Sequence, residues 1–409
     1  MPENYKIAYW LRTDIQHFAH VQHIYENLGG VILTKNPDIY SYLSEKYPEL
    51  GDDLVLVKNS TEAKKLLNRF GTKIVVYTGF QMIFWGYSVQ VFHGSSDKHY
   101  LLNHRRILLY DLLLLPGNRH MERIAGAYRL KHPEKFKVVG YPKFDKLVNG
   151  IITEKPLFDN GRPTILYAPT WITQGSGSKL KFSEYGESSL PLWGTKLIKA
   201  IVPRWNLIIK YHSRIYESHR EIYDGINSCI ADLNAGDRVK VVIDSNITEY
   251  MNQADLMISD ISAVCYEWFH TGRPIVFANP SPEHYRPSDD QLSNTYAWQA
   301  GDVLYAEEDI VPILQRNIAS DSHADIRRKL LEHSFYMPDG HAGDRQLAEI
   351  VKFYDSVVSF SKLRMVLHNI GVFAKDTVRH AREKRNRPVT SAISDETRPT
   401  VPEHQESTC

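Results

Sequence analysis

The stretch ADLMISDISAVCYEWFHTGRPIVFANP, residues 254–280, decides the fold. Residues 256–258 are a short apolar run, as in a strand buried on both faces of a parallel sheet. Ser259-Asp260-Ile261-Ser262 then turns the chain, and residues 263–270 have helical character. Gly272 ends that helix and 274–278 start another strand. The unit is β-turn-α-β, with hydroxyls and a carboxylate at the strand's C-terminal end. In open α/β sheets that end faces the ligand crevice. A helix N-terminus placed there offers free N–H groups to a phosphate. On these residues alone, Ser262 reads equally well as an N-cap and Asp260 as a turn residue.

The same rhythm runs outward in both directions. Upstream, strands are expected at 6–11, 31–33, 53–57, 73–77, 89–92 and 112–115, with helices at 17–28 and 61–70. A polar, turn-rich segment, ITEKPLFDNGRP at 152–163, reads as a linker. A second series follows, with strands at 164–167, 206–210, 239–243, 256–258 and 275–278. Alternating strands and helices argue for parallel sheets covered by helices. The expected architecture is therefore α/β, with two Rossmann-like domains, 1–150 and 151–355, facing across a cleft. The polar stretch 173–191 is long for a loop in a compact domain, which marks it as functional or mobile.

After residue 355 the character changes. Residues 361–388 contain eight Lys/Arg against two acidic residues, and Leu363, Val366, Leu367, Ile370, Phe373 and Val378 recur at roughly helical spacing. Residues 356–388 thus read as a basic amphipathic helix suited to an anionic membrane surface. The other reading is a helix packed back across the two domains. Residues 389–409 have the composition of a disordered tail.

Composition bounds the function. At 409 residues the chain is long enough for two domains, and its net charge of +1 gives no ground for a nucleic-acid partner. Cys229, Cys265 and Cys409 form no CxxC pair, so neither a zinc site nor a disulfide framework is indicated. The opening MPENYKIAYWLRTD has no apolar signal-peptide core, and the longest apolar run, 107–116, is interrupted by Asp111 and too short to span a bilayer. A cytoplasmic setting is expected.

Five further stretches carry chemistry. In VFHGSSDK, 91–98, an apolar strand delivers His93, and Gly94 lets the backbone approach a ligand. An imidazole there suits general-base work. In IIKYHSR, 208–214, Lys210, His212 and Arg214 share the strand period of two and converge on one side, as a polyphosphate requires. YAPTW, 167–171, turns at Pro169 and Thr170 into the long polar loop. VVGYPKFD, 138–145, ends the first domain with Lys143 and Asp145, and DGHAGDR, 339–345, precedes the last domain helix.

In this order the motifs resemble the CDP-glycerol glycerophosphotransferase family of teichoic acid and capsule polymer synthesis. The matching series is His-Gly with a following Lys98, Gly-Tyr-Pro-x-x-Asp, Tyr-Ala-Pro-Thr-Trp, Lys-x-His, Ser-Asp-x-Ser and Asp-Gly-x-Ala-x-x-Arg, over about residues 85–350. The resemblance implies a GT-B architecture, with an acceptor-side first domain and a nucleotide-donor second domain. It implies His93 as catalytic base and His212 as a second catalytic histidine near the donor pyrophosphate. Lys210, Arg214, Ser259, Asp260 and Ser262 would serve the donor phosphates, Thr170 and Glu267 the nucleotide. Gly94, Lys98, Lys143 and Asp145 would line the cleft.

The chain departs from the family pattern at Ile261 and Ala263, where a phenol and a hydroxyl are common, and at Lys143, where arginine is usual. Arginine and lysine differ in bidentate phosphate binding.

The expected activity is transfer of a polyol phosphate, glycerol phosphate from CDP-glycerol, to a hydroxyl of a lipid-linked or polymeric glycan at the inner face of the membrane. No cofactor or metal is called for. The competing enzyme reading is a GT-B glycosyltransferase using a nucleotide sugar; a non-catalytic assembly protein is the third.

Overall fold

The structure is a computed structural model that describes residues 5–12, 14–92, 94, 95, 97, 105–151, 155–172, 187–211, 219–243 and 247–385. His93, Lys98, His212 and Arg214, most of the polar loop at 173–191 and the tail at 389–409 lie outside the described residues.

Two all-parallel sheets form the frame. The first contains β1 (Ile7–Leu11), β2 (Val31–Thr34), β3 (Leu54–Leu56), β4 (Ile74–Tyr77), β5 (Tyr87–Val91), β6 (Leu112–Leu115) and β7 (Phe136–Val138), in the order β3-β2-β1-β4-β5-β6-β7. The second contains β8 (Thr164–Tyr167), β9 (Asn206–Lys210), β10 (Val239–Val242), β11 (Leu256–Ser259), β12 (Ile275–Ala278) and β13 (Asp302–Leu304), in the order β10-β9-β8-β11-β12-β13. Central strands such as IAYWL and LMIS are buried along their whole length, as strands covered on both faces must be. The order reverses between β1 and β4 in the first sheet and between β8 and β11 in the second. Ligand crevices open at such switch points, outside the carboxyl ends of the strands.

Of the edge strands, sequence reading passes over β13 and meets only the end of β7, at the strand–turn that starts with Val138. β7 (FKV) and β13 (DVL) are three residues each and only partly buried, so neither makes a clear apolar run. The helix expected at 17–28 is broken. Ile15–His20 is a 3-10 turn, and the α-helix runs over Gln22–Leu28. The polar loop ends earlier than expected, because the helix Leu190–Ile201 already starts at Leu190, with proline in its first turn.

The helix Ala342–Val358 follows the second sheet in sequence but joins the first core. Its Ile350, Tyr354 and Val357 pack with Ile7, Tyr9 and Ile32. Asp145 caps its start, accepting from Ala342 N at 3.2 Å and Gly343 N at 2.6 Å. Arg345 grips the return path, donating to both Asp339 oxygens at 3.0 and 2.9 Å and to the carbonyls of Val139 (2.9 Å) and Met337 (2.8 Å). Gly140 (φ +96°) must be glycine, since a Cβ there would stand 2.8 Å from both the Ala342 Cβ and the Tyr336 oxygen. The Gly-Tyr-Pro-x-x-Asp and Asp-Gly-x-Ala-x-x-Arg motifs therefore meet, and they tie the two halves together.

The last helix, Lys362–Arg385, is docked on the first half. Met365, Asn369, Val372 and Asp376 form its inner face at i, i+4, i+7 and i+11. Met365 and Val372 are buried, Asn369 donates to the Gly86 oxygen at 3.0 Å, and Asp376 pairs with Arg106 at 2.8 Å. The apolar row noted in the sequence points outward. Leu363, Leu367, Ile370, Phe373 and Val378 are 51–68% exposed. No helix among the described residues is long and apolar enough to cross a membrane.

Candidate active site

The second sheet's switch point is closed by a carboxylate. Asp260 follows β11, is 1% exposed, and accepts from Thr170 N at 2.9 and 3.1 Å, from Ser189 N at 2.8 Å and from the Ser189 hydroxyl at 2.8 Å. Its side chain therefore joins three segments: the turn after β11, the Tyr-Ala-Pro-Thr turn after β8, and the start of the helix Leu190–Ile201. Asp260, expected at the donor phosphates, is held by these protein donors. Ser259 is likewise turned inward, 0% exposed, and donates to the Ala168 oxygen at 2.7 Å.

Ser262 stays half-buried and opens the five-residue helix Val264–Trp268, accepting from Val264 N at 3.4 Å. Lys210 ends β9 two strands away from β11, is 8% exposed, and donates to the Tyr211 oxygen at 3.1 Å.

Across the cleft, Gly94 has φ +137°, where side chains are rarely accommodated. A Cβ at that position would lie 3.4 Å from the Ala263 Cβ, 3.8 Å from Glu267 Oε1 and 3.9 Å from the Tyr141 hydroxyl. A side chain at Gly94 would thus point at the turn that opened the sequence reading, toward the residue where a hydroxyl is replaced by Ala263.

Glu267, expected at the nucleotide, is buried and engaged with the first half: Lys143 Nζ stands 3.0 Å from Oε2, and the Tyr141 hydroxyl donates to Oε1 at 3.1 Å. Tyr141 also meets His20 Nδ1 at 3.1 Å. Lys143 and Glu267 come together as an inter-domain ion pair. Asp145 is set apart from them as the helix cap described above, and burial pushes its carboxyl up, partly offset by the two N–H donors.

A second buried connection was not foreseen. Asp97, within the His-Gly-Ser-Ser-Asp stretch, forms an ion pair with Arg119, accepts from the Tyr266 hydroxyl at 2.6 Å and from Ala297 N at 3.0 Å. Arg119 is 1% exposed and its guanidinium carbon lies 4.5 Å from the Tyr266 ring centre. Asp97 and Arg119 belong to the first half, Tyr266 and Ala297 to the second. Burial and the Asp97 charge push the Tyr266 phenol well up, which keeps it a donor. No sequence signal pairs an aspartate with a tyrosine 169 positions away.

His270 completes the boundary. It stacks on Phe144 at 4.5 Å and 12°, and its Nδ1 meets the backbone carbonyl oxygen of Glu267 at 3.0 Å. Burial pulls its pKa down to about 4, partly offset by that hydrogen bond. The unfolded chain binds this proton below the ordinary value near pH 6.5, the folded chain only near pH 4. Stability is thus lost as pH falls between those values, by up to about 3 kcal/mol. Melting midpoints of the unaltered protein are expected to fall from pH 7 to pH 4.5, with a shallower slope in His270→Asn. Identical slopes would remove His270 as the cause.

Among the described residues no group of three or more His, Cys, Asp or Glu is arranged to hold a metal.

The two facing Rossmann-like halves define a GT-B-like fold. The family model of CDP-Glycerol:Poly(glycerophosphate) glycerophosphotransferase matches residues 10–352, and the chain belongs to that family. Among solved structures it is similar to the wall teichoic acid polymerase TagF, at TM-score 0.60 and 16% identity over 87% of this chain and 90% of that one. It is also similar to a putative UDP-N-acetylglucosamine 2-epimerase from Listeria monocytogenes, at TM-score 0.57 and 13% identity over 87% and 97% of the chains. At such identities the likeness shows the fold. No match was found among curated proteins.

Proposed function

We propose that the chain transfers glycerol phosphate from CDP-glycerol to a hydroxyl of a lipid-linked or polymeric acceptor, releasing CMP. The observation that carries this is the hydrogen bond from the Tyr266 hydroxyl to Asp97 at 2.6 Å, which joins the stretch after the His-Gly pair in one half to the helix after the donor turn in the other. The family match supports the donor class, and TagF has been solved after a soak with CDPG. The acceptor oxygen forms a bond to the distal phosphorus while the bond from that phosphorus to the CMP oxygen breaks. His93 takes the acceptor proton. Lys210, His212 and Arg214, with Ser262, hold the phosphates and the charge that the leaving CMP gains. Transfers of this kind depend on positioning and electrostatics rather than on covalent chemistry by the protein.

Asp260 acts at one remove, by fixing the Thr170 turn under the donor. The test is nucleotide release from a panel of CDP-alcohols and nucleotide sugars with a glycerol-phosphate-ended acceptor. CMP from CDP-glycerol is expected. UDP or GDP from a nucleotide sugar would replace this reading with glycosyl transfer.

The outward face of the helix Lys362–Arg385 supports attachment to an anionic membrane, where a lipid-linked acceptor would lie. Leu363, Leu367, Ile370, Phe373 and Val378 form its exposed apolar row, flanked by exposed Lys362, Arg364 and Lys375. Its inner face stays occupied by the first half, so the helix can meet a bilayer without leaving the fold. Burying one such side chain contributes about 1.5–3 kcal/mol. The double variant Leu367→Glu/Ile370→Glu is therefore expected to lose at least about tenfold in affinity for anionic vesicles, with its melting curve unchanged. Undiminished co-sedimentation would refute the attachment.

A further inference from the structure

The stretch that follows His93 is gripped from both halves. In the first half, one helix, Asn118–Ala127, supplies three side chains to it. His120 Nε2 meets the Gly94 oxygen at 3.2 Å, Arg123 donates to the Asp97 carbonyl at 3.2 Å, and Arg119 pairs with the Asp97 carboxylate. From the second half, the Tyr266 hydroxyl donates to Asp97 Oδ1 at 2.6 Å and Ala297 N to Oδ2 at 3.0 Å. Tyr266 and Glu267 are consecutive on the helix after the donor turn. They bond to separate parts of the first half, Tyr266 to Asp97 and Glu267 to Tyr141 and Lys143.

Asp97, Arg119, His120, Arg123 and Tyr266 are all buried. Stability alone does not call for such a cluster. A buried ion pair can often be replaced by apolar side chains of similar volume without loss. Here, moreover, Arg119 Nε and Nη1 have no hydrogen-bond partner among the described residues. What a buried polar cluster supplies is a single arrangement, because a displaced partner is left unpaired in a low dielectric.

We infer that Asp97 and Tyr266 are positioning residues for the transfer: their hydrogen bond sets the stretch after His93 against the turn that carries Ser262. The inference rests on the reaction proposed above. Both Asp97 oxygens are taken by protein donors, so Asp97 acts by placement and not as a base. With the proton acceptor on one half and the donor phosphates on the other, rate depends on the spacing between them. A misplacement of about 1 Å can cost about 10²-fold.

The test is Tyr266→Phe in the whole chain, which removes one oxygen and keeps the ring against Arg119. Hydrogen exchange comes first, since it needs no substrate. The Ala297 amide is expected to exchange about tenfold faster, as loss of a hydrogen bond to a charged acceptor allows, with the amides of β8 and β11 unchanged. Unchanged exchange at Ala297 overturns the joint, whatever the reaction is. Turnover is then followed with CDP-glycerol and soluble oligo(glycerol phosphate). If the unaltered protein releases no CMP, the transfer falls and the positioning role with it, while the exchange result still stands for the joint. Given transfer, kcat is expected to fall at least about tenfold, with the CDP-glycerol KM and its calorimetric affinity within about twofold. A merely structural bond would lower the melting midpoint and leave the kcat of the folded variant unchanged. That outcome, or a loss confined to donor binding, overturns the positioning role.

Discussion

Alanine at position 93 is expected to reduce transfer by about 10²–10⁴-fold, the contribution of a positioned general base, with little change in the melting curve. The expectation rests on where its neighbours lie. Phe92 is buried at the carboxyl end of β5, and Asp97 accepts from Tyr266 of the second half at 2.6 Å. The residue between them sits in sequence at the junction of the proposed acceptor and donor sides. The loss should fall on kcat and kcat/KM together, because a base acts in the transition state and adds little to ground-state binding. Binding of CDP-glycerol by calorimetry should persist. Near-normal turnover by folded His93→Ala would remove His93 as the base, whereas loss of donor binding would recast it as a phosphate contact.

Much of the frame could be read from the sequence, for a physical reason. Strands of a parallel sheet covered on both faces must be nearly continuous apolar runs, and ILY, LIIK, LMIS and LLLL announce themselves. β13 escapes because it is only three residues long and starts with a half-buried aspartate, Asp302, so it makes no apolar run.

The motifs of the candidate site were legible, but not the protein partners of their side chains. Asp260, Asp145, Lys143 and Glu267 were all read as groups facing a ligand. The structure places Asp260 and Asp145 on backbone N–H groups and pairs Lys143 with Glu267. A carboxylate that orders a turn and one that touches substrate look alike in sequence, since both follow a strand and precede a helix. Only the position of the partner separates them, and those partners lie 71 to 198 positions away. The same holds for Asp97 and Arg119, whose partner Tyr266 lies in the other half. The C-terminal helix shows the complementary case. Its apolar row was legible, but its docking face at Met365, Asn369, Val372 and Asp376 mixes polar and apolar groups and leaves no periodic signal.

Asp260→Ala is expected to cost about 2–5 kcal/mol of stability, because it orphans the buried N–H groups of Thr170 and Ser189 at about 1–3 kcal/mol each. The Ser189 hydroxyl is spared, since it also meets the Tyr167 hydroxyl at 2.8 Å. Asn is expected to be milder than Ala in stability: one carbonyl oxygen still accepts, while the amide nitrogen turned toward an N–H donor leaves one group unpaired. Donor binding discriminates further. If Asp260 orders the Thr170 turn, both variants weaken CDP-glycerol binding in proportion to their loss of stability. If instead its charge faced the phosphates, it would repel them, and Asn, which removes the charge while keeping the shape, would bind the donor more tightly than the unaltered protein. Melting curves and calorimetry on the two variants separate the outcomes. Tighter binding by Asp260→Asn would return the carboxylate to the phosphate site, while the expected parallel losses make it the clamp that holds β8, β11 and the helix Leu190–Ile201 in register around the donor.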